Sequence, residues 1–376
     1  MSIQLFRLMV IGFAGSLIMA PAAQGEHVSN PKASLIDVAA RRHELQINHD
    51  MRVDLAIATL SSCITLSMIP APEVPMKPPV NYYIQGTSGP TNPLYAIQIA
   101  QYMRFEKRVT AGMNQFLATG SNTEARCAQQ QIDTWAQGAA LLSYDPYQSL
   151  ANWYQVEWTI SSVAISESVL LSAGDLDQAM VNRDIAWMKK VVQTTVAWDE
   201  KKKERNNHHY WRGLAAVAVG VVSSDDSLFS WGVGVFRSAV DDINPAGAFP
   251  LEMVRDELAI HYQAFALQPL IPLAEFASRQ GVNLYDYRSP SGRTISDAVI
   301  FMAKAVADPS IVRPYQKTPQ NTDLNSTDFF AACEFYMRRY GATAPAVMKR
   351  TLRNPNFATR IGGSTTVLAA PTSTPR

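Results

Sequence analysis

The chain has 376 residues, with 33 basic and 32 acidic side chains, a net charge of +1 at pH 7 and 47% hydrophobic residues. This near-neutral balance argues against a nucleic-acid-binding protein, which usually carries a strong basic excess. It does not exclude an anionic substrate, because the potential inside a cleft can differ from the net charge.

Residues 1–25 are predicted to be a secretory signal peptide. Arg7 precedes an apolar run that ends at Met19, and small residues follow up to Gly25. A charged start, an apolar stretch too short to span a bilayer and an Ala-x-Ala-like site are typical of such peptides. A membrane anchor is the alternative. We therefore expect a periplasmic or secreted protein that contacts no membrane after cleavage.

Helical patterning dominates the rest of the chain, and strand signatures are scarce. The run 216–222 has the composition of a strand but continues out of a helical segment, which favours a buried helix. Many helices of moderate length predict an all-α fold with helix-on-helix packing. We expect one domain over residues 26–354 and a disordered tail over 355–376. The predicted helices cover approximately residues 94–118, 123–142, 147–173, 183–199, 203–222, 226–243, 249–280, 293–307 and 326–342.

Two polar segments stand out against this apolar pattern. The first holds Asn207 and His208, with Trp211 on the same side of the helix that follows. The second holds Arg255 and Tyr262, which are seven positions apart and would project from one face of a continuous helix. Taken alone, each segment also fits an ordinary capped helix with packed aromatic residues.

Together, these two segments resemble the active site of the helical alginate lyases, the mannuronate-specific family of polysaccharide lyases. The shared pattern is an Asn-Asn-His run followed by Tyr-Trp, and an Arg and a Tyr that are seven positions apart. The resemblance covers about residues 60–305. It implies an incomplete (α/α) toroid with a central cleft, an anionic polysaccharide as the partner, and catalytic roles for Asn207, His208, Arg255 and Tyr262. It also suggests that Trp158, Gln148, Tyr82 and Trp211 contact the substrate.

The residue types suit β-elimination in a uronate polymer. Removing the C5 proton builds negative charge on the neighbouring carboxylate, which amide and imidazole groups can stabilise. A free phenol has a pKa of about 10, and we expect Arg255 to favour the phenolate of Tyr262. In mannuronate the C5 proton and O4 lie on the same side, so Tyr262 could serve as both base and acid. For a substrate epimerised at C5, His208 would be the base and Tyr262 the acid.

Three further expectations complete the sequence interpretation. No Cys, His and carboxylate set has metal spacing around His208 and His209, so no metal or cofactor is predicted. An exported chain favours one disulfide among three cysteines, and the family resemblance favours Cys63 with Cys127 over a bond to Cys333. We expect a monomer. The loop 80–90, with Tyr82 and Tyr83, is either a lid or a surface loop. A lyase for glucuronate-containing polymers and a non-catalytic polyuronate-binding protein remain alternatives.

Overall fold

The computed structural model describes residues 26–372 except 78, 86–88, 147–149, 204, 324–325 and 353. The predicted signal peptide therefore lies outside the described residues. Within them the fold is all-α, as predicted, and two isolated bridges are the sole β-type pairings. The helices of the described residues are α1 (Val38–Ile47), α2 (Met51–Ala58), α3 (Pro93–Thr119), α4 (Asn122–Gln137), α5 (Leu150–Leu170), α6 (Gln178–Lys202), α7 (Asn207–Val222), α8 (Asp226–Asp241), α9 (Ala259–Arg279), α10 (Ile295–Ala307), α11 (Cys333–Tyr340), α12 (Ala346–Thr351) and α13 (Thr365–Ala369).

The helices form an α/α toroid, which confirms the predicted architecture. The inner helices α3, α5, α7 and α9 pack side by side, and α4, α6, α8 and α10 pack outside them. Helices α5 and α7 are buried around almost their whole circumference, as expected for apolar helices enclosed by neighbours. The run 216–222 belongs to α7, so the prediction of a buried helix is confirmed.

Glycine allows α7 and α8 to approach closely. A Cβ atom at Gly220 would lie 2.7 Å from the backbone nitrogen of Phe229, and one at Gly232 would lie 2.6 Å from the carbonyl oxygen of Gly213. Both contacts are shorter than a side-chain carbon tolerates, so these glycines set the spacing between the inner and outer layers. The inner helix α7, which begins with Asn207 and His208, is thereby held in place.

The C-terminal segment is ordered from Pro355 to Thr372, so the prediction of a disordered tail is wrong for these residues. Helix α13 packs on α3 and on α11, which in turn packs on α9. The buried Arg41 side chain donates hydrogen bonds to the carbonyl oxygens of Thr366 and Val367. The small residues of this segment are buried between the two ends of the helix series, which explains why a composition typical of disorder folds here.

The Cys63–Cys127 disulfide is present, with an S–S distance of 2.09 Å, and Cys333 is a buried free thiol. Both features were predicted. The disulfide ties the segment after α2 to α4. Helices α1 and α2 were not predicted; each begins at an aspartate cap, Asp37 or Asp50, that accepts backbone N–H groups of the first turn. Among the described residues, no helix has the length and apolar character needed to cross a membrane.

Candidate active site

The predicted catalytic residues converge where three inner helices meet. Asn207 and His208 open helix α7, Tyr262 lies in the first turn of α9, and Arg255 precedes that helix. The middle of α5 faces them. This arrangement brings together two sequence segments that are about fifty positions apart, as the motif predicts.

His208 is held on two sides by α5. Its Nδ1 atom lies 2.5 Å from a carboxylate oxygen of Glu157. Its ring stacks on Tyr154, with 3.4 Å between ring centroids and an interplanar angle of 12°. Burial, together with the positive charges of Arg212, Arg255 and Arg360, places the pKa of His208 well below 6.5. His208 is therefore a neutral imidazole at neutral pH.

Arg255 reaches Tyr262 by a route that differs from the prediction. Arg255 does not lie on the same helix, because a 3₁₀ turn spans Asp256–Leu258 and α9 begins only at Ala259. Asp256 has a positive φ of 46°, which breaks the helix that the spacing assumes. The guanidinium carbon of Arg255 nevertheless lies 4.6 Å from the ring centroid of Tyr262, so the two side chains do meet.

The phenol of Tyr262 is protonated at neutral pH. Burial raises its pKa, and this effect outweighs the opposing effects of Arg255 and of a hydrogen bond from Tyr83. The hydroxyl oxygens of Tyr83 and Tyr262 are 2.9 Å apart. The expectation that Arg255 makes Tyr262 a phenolate is therefore wrong, since desolvation of the charged form exceeds the stabilisation that one cation supplies.

Asn207 is fully buried and is anchored by Glu252. Its backbone N–H donates to a Glu252 carboxylate oxygen at 2.7 Å, and its side-chain nitrogen lies 3.1 and 3.0 Å from the two oxygens. The side-chain oxygen of Asn207 is buried and has no hydrogen-bond partner among the described residues. The Glu252 carboxylate, 3.7 Å from Arg255, connects the two halves of the motif.

Arg360 adds a cation from the C-terminal segment. Its guanidinium carbon lies 3.8 Å from the ring centroid of Trp158, whose ring is 5.9 Å from that of His208. The predicted substrate residue Trp158 is therefore beside the catalytic imidazole, although its side chain is largely buried. Arg255 and Arg360 place two cationic side chains in this region, which suits contacts to a polymer of carboxylates.

The other three predicted substrate residues lie in different surroundings. Trp211 is fully buried and packs on Phe265, with 5.5 Å between ring centroids, and its substrate contact stays a prediction. His208 and Trp211 lie on the same side of α7, which faces the interior, and Trp211 lies deeper in the core. Tyr82 is 43% exposed and packs on Tyr83 and Tyr95, whereas Tyr83 contacts Tyr262. Gln148 lies outside the described residues.

Sequence reasoning missed Glu157, Arg212, Glu252, Tyr83 and Arg360. One signal was present, because a glutamate in the middle of the apolar helix α5 needs a partner when buried. Arg360 was missed because its segment has the composition of a disordered tail. Within the part of the chain that the structure describes, no group of three or more His, Cys, Asp or Glu side chains is arranged to hold a metal ion.

Comparisons with known proteins all indicate one family. The alginate lyase family model matches residues 71–312. Alginate lyase A1-III from Sphingomonas species A1 is similar in structure, with a TM-score of 0.84, 36% identity and coverage of 92% of this chain and 97% of that chain. A tyrosine-to-phenylalanine variant of A1-III complexed with a tetrasaccharide is also similar. Its TM-score is 0.86, with 35% identity and coverage of 93% of this chain and 98% of that chain. A polysaccharide lyase of Stenotrophomonas maltophilia strain K279a is 28% identical over 331 residues, 85% of this chain and 96% of the relative.

Proposed function

Because the chain belongs to the alginate lyase family, and is thus a polysaccharide lyase, we propose that it cleaves β-1,4-linked D-mannuronate in alginate by metal-independent β-elimination. The products would carry a C4–C5 double bond at the new non-reducing end. The observation that carries the proposal is the pairing of a neutral imidazole with a protonated phenol beside Arg255.

His208 is proposed as the base. Glu157 occupies Nδ1, so Nε2 is the ring nitrogen available to accept the C5 proton. The low pKa of His208 keeps it deprotonated at neutral pH. A low pKa also makes it a weak base in isolation, so the carboxylate of Glu157 must stabilise the imidazolium as it forms.

Tyr262 is proposed as the acid that protonates O4 as the C4–O4 bond breaks. Its raised pKa keeps the proton on the phenol until O4 begins to leave. A path in which Tyr262 also removes the C5 proton requires a phenolate, which burial disfavours. The C5 proton and O4 lie on the same side of mannuronate, so His208 and Tyr262 must both reach the ring from that side. In the alternative path an ionised Tyr262 performs both transfers.

The developing charge on the uronate carboxylate is proposed to be met by Asn207 and Arg255. Glu252 holds the Asn207 amide in place, and Arg255 carries a guanidinium whose side chain is 14% exposed. Donors that are held in place before the reaction stabilise such charge without reorganising. No step of this scheme requires a metal ion.

The mannuronate preference rests on the resemblance of the two motif segments to mannuronate-specific lyases. Export is supported by the predicted signal peptide and by the Cys63–Cys127 disulfide, because disulfides persist in oxidising compartments. We propose that the mature enzyme acts as a monomer in the periplasm or outside the cell.

The proposal is tested by following the ultraviolet absorbance of unsaturated uronate ends. Purified mature protein would be mixed separately with polymannuronate, polyguluronate and polyglucuronate, with and without a chelator. We expect the absorbance to rise on polymannuronate at the same rate with and without chelator. A rise on polyglucuronate alone would overturn the substrate assignment. No rise on any polymer, with retarded migration in polymannuronate gels, would indicate a binding protein.

A further inference from the structure

Arg360 is a cation that reaches the candidate active site from the C-terminal segment. Its side chain is half-buried, and it forms no hydrogen bond or ion pair with any residue that the structure describes. Its guanidinium carbon lies 3.8 Å from the ring centroid of Trp158 and 5.7 Å from that of Phe265. An arginine whose N–H donors are unpaired beside a cleft is suited to bind a carboxylate.

A closed turn over residues 358–363 carries this arginine, and we call it the Arg360 turn. Its two ends are joined by a pair of backbone hydrogen bonds of 2.7 and 2.9 Å. A Cβ atom at Gly363, where φ is 82°, would lie 2.9 Å from the Cβ atom of Thr110 on α3. This distance is shorter than a side-chain carbon tolerates, so the turn lies directly against the inner helix α3.

Glu106 fastens the Arg360 turn to two inner helices. It is buried in α3, and one of its oxygens accepts a hydrogen bond from the hydroxyl of Thr359 at 3.0 Å. The other oxygen accepts from the hydroxyl of Thr159 at 2.7 Å and from the side-chain nitrogen of Gln155 at 3.2 Å, both on α5. Ser162 of α5 also donates to the carbonyl oxygen of Thr359 at 2.7 Å. The residue before Arg360 is therefore held through its side chain and its backbone.

The Glu106 carboxylate acts on Arg360 through the turn and not through a direct ion pair. Burial raises the pKa of Glu106, and its hydroxyl and amide donors and the nearby charge of Arg360 lower it. A buried carboxylate is costly unless it is hydrogen-bonded, and these donors offset that cost. Because the carboxylate is engaged by uncharged donors, the guanidinium of Arg360 stays available to a carboxylate of the substrate.

We propose that Glu106 is a positioning residue for substrate binding, which holds the Arg360 turn on α3 and α5 so that the guanidinium meets a uronate carboxylate in the cleft. The proposal rests on the proposed function, because it requires a polyuronate in the cleft. An arginine fixed before binding loses less conformational freedom when the substrate arrives, so the effect is on affinity. Glu106 takes no part in bond cleavage, so kcat is unaffected.

The substitution Glu106→Ala tests this role because it removes the acceptor that holds Thr359. We expect KM for polymannuronate to rise about five- to tenfold, close to the change for Arg360→Gln, with kcat within about twofold of the unmodified enzyme. A change in KM of less than about twofold would overturn the proposal.

Affinity electrophoresis in polymannuronate gels measures the same loss of binding without turnover. The dissociation constant of Glu106→Ala should rise by the same factor as KM. An unmodified protein that is retarded in the gel and releases no unsaturated ends would refute the proposed lyase activity. The gel comparison would still test the positioning of Arg360, so the two failures are distinguishable.

A double variant separates positioning from a general loss of structure. If Glu106 acts through Arg360, Glu106→Ala should not change KM further in a chain that already carries Arg360→Gln. The double variant should therefore match Arg360→Gln within about twofold. A KM increase equal to the product of the two single increases would overturn the proposal, because the two residues would then act independently.

Glu124→Ala is the matched control. Glu124 is also a buried carboxylate, in the first turn of α4, and it accepts hydrogen bonds from the Ser62 hydroxyl and the Cys63 N–H group. Its loss should lower stability and leave KM unchanged. An equal rise in KM for Glu124→Ala and Glu106→Ala would overturn the proposal, since any lost buried carboxylate would then suffice.

Thr359→Val keeps the proposal testable if Glu106→Ala does not fold. It removes only the hydroxyl that donates to Glu106, from a half-buried side chain of similar size. We expect KM and the dissociation constant in the gel to rise about two- to fivefold, in keeping with one lost hydrogen bond to a charged group. Values equal to those of the unmodified protein would overturn the proposal.

Discussion

Helix α5 carries two fully buried glutamates with opposite surroundings. Glu157 lies between a guanidinium and an imidazole, and both of its oxygens are hydrogen-bonded. Glu167, further along the same helix, has no hydrogen-bond partner among the described residues, and it lies close enough to Asp184 to affect the pKa of that carboxyl group. The comparison shows that burial alone does not identify a functional carboxylate. The carboxylate that contacts a predicted catalytic residue is the one that pairs with a cation, Arg212.

The second glutamate is instead a group that holds a proton. Burial raises the pKa of Glu167 to about 7. Burial and the nearby carboxylates of Glu167 and Asp133 raise the pKa of Asp184 to about 9. Two like charges in a water-excluded site cannot both ionise cheaply. Glu157 thus lies at the candidate active site, and Glu167 lies about 15 Å further along α5.

The largest expected effect comes from Tyr262→Phe at the catalytic region. Loss of the proton donor for O4 should lower kcat on polymannuronate by about 10²–10⁴-fold. The variant also loses the hydrogen bond to Tyr83, which costs about 1 kcal/mol of unfolding free energy. Steady-state kinetics and denaturant unfolding measure the two effects.

The matched control is Tyr336→Phe, which removes a tyrosine hydroxyl that donates to Ser296 on α10, outside the site. It should lose a similar amount of stability and keep full activity. If Tyr262→Phe retained more than about a tenth of the activity, the role of the phenol as acid would be wrong.

Identical substitutions at the two glutamates should change stability in opposite directions. Glu157→Gln removes a charged hydrogen bond to Arg212 and should cost about 1.5–3 kcal/mol. Glu167→Gln should stabilise the protein at pH 8 by about 1–3 kcal/mol, because the unmodified glutamate must either keep its proton or ionise while buried. Urea unfolding at pH 8 measures both values, and changes of the same sign would contradict the comparison.

The pH dependence of this stability has a defined sign. The pKa of Glu167 is about 7 in the folded protein, against an ordinary value of 4.5. Between these two pH values the folded state binds more protons than the unfolded state. The stabilisation that protonated Glu167 gives the folded state is therefore full below pH 4.5 and is lost as pH rises to 7. Glu167→Gln should flatten this part of the stability profile. An unchanged slope would show that Glu167 ionises normally.

A smaller effect is expected for Arg360→Gln, which removes a cation that stacks on Trp158. KM for polymannuronate should rise about tenfold with little change in kcat, because a charged contact to a carboxylate is lost from binding. The difference in KM between Arg360→Gln and the unmodified enzyme should shrink at high ionic strength. Arg313→Gln, at an exposed arginine beside Asp308, is the control. Equal KM values for the two variants would remove Arg360 from the substrate site.

Much of the fold could be predicted from the sequence, because long apolar helices leave a clear periodic pattern. The motif also led to Asn207, His208, Arg255 and Tyr262 as one site. The path of the chain at Arg255 could not be predicted, since helical spacing assumes continuous backbone and Asp256 interrupts it with a positive φ. The C-terminal segment was misjudged because its burial depends on α3 and α11, which composition does not report.

The side-chain roles were harder to predict than the elements. Trp211 has the spacing of a substrate residue, but the same side of α7 faces the core. Arg255 lowers the pKa of Tyr262, as predicted. Burial of the phenol raises this pKa by more, so the predicted phenolate does not form. The burial of both side chains depends on tertiary packing that no local pattern contains.

The most direct test of the catalytic account is the pH dependence of kcat/KM on polymannuronate. A neutral His208 base and a protonated Tyr262 acid predict an acid limb well below pH 6.5 and a basic limb above pH 10, with a plateau between them. The plateau is expected because each group is already in its active form at neutral pH. A rate that instead rises continuously through pH 10 would identify a tyrosinate as the base and contradict the assignment of His208.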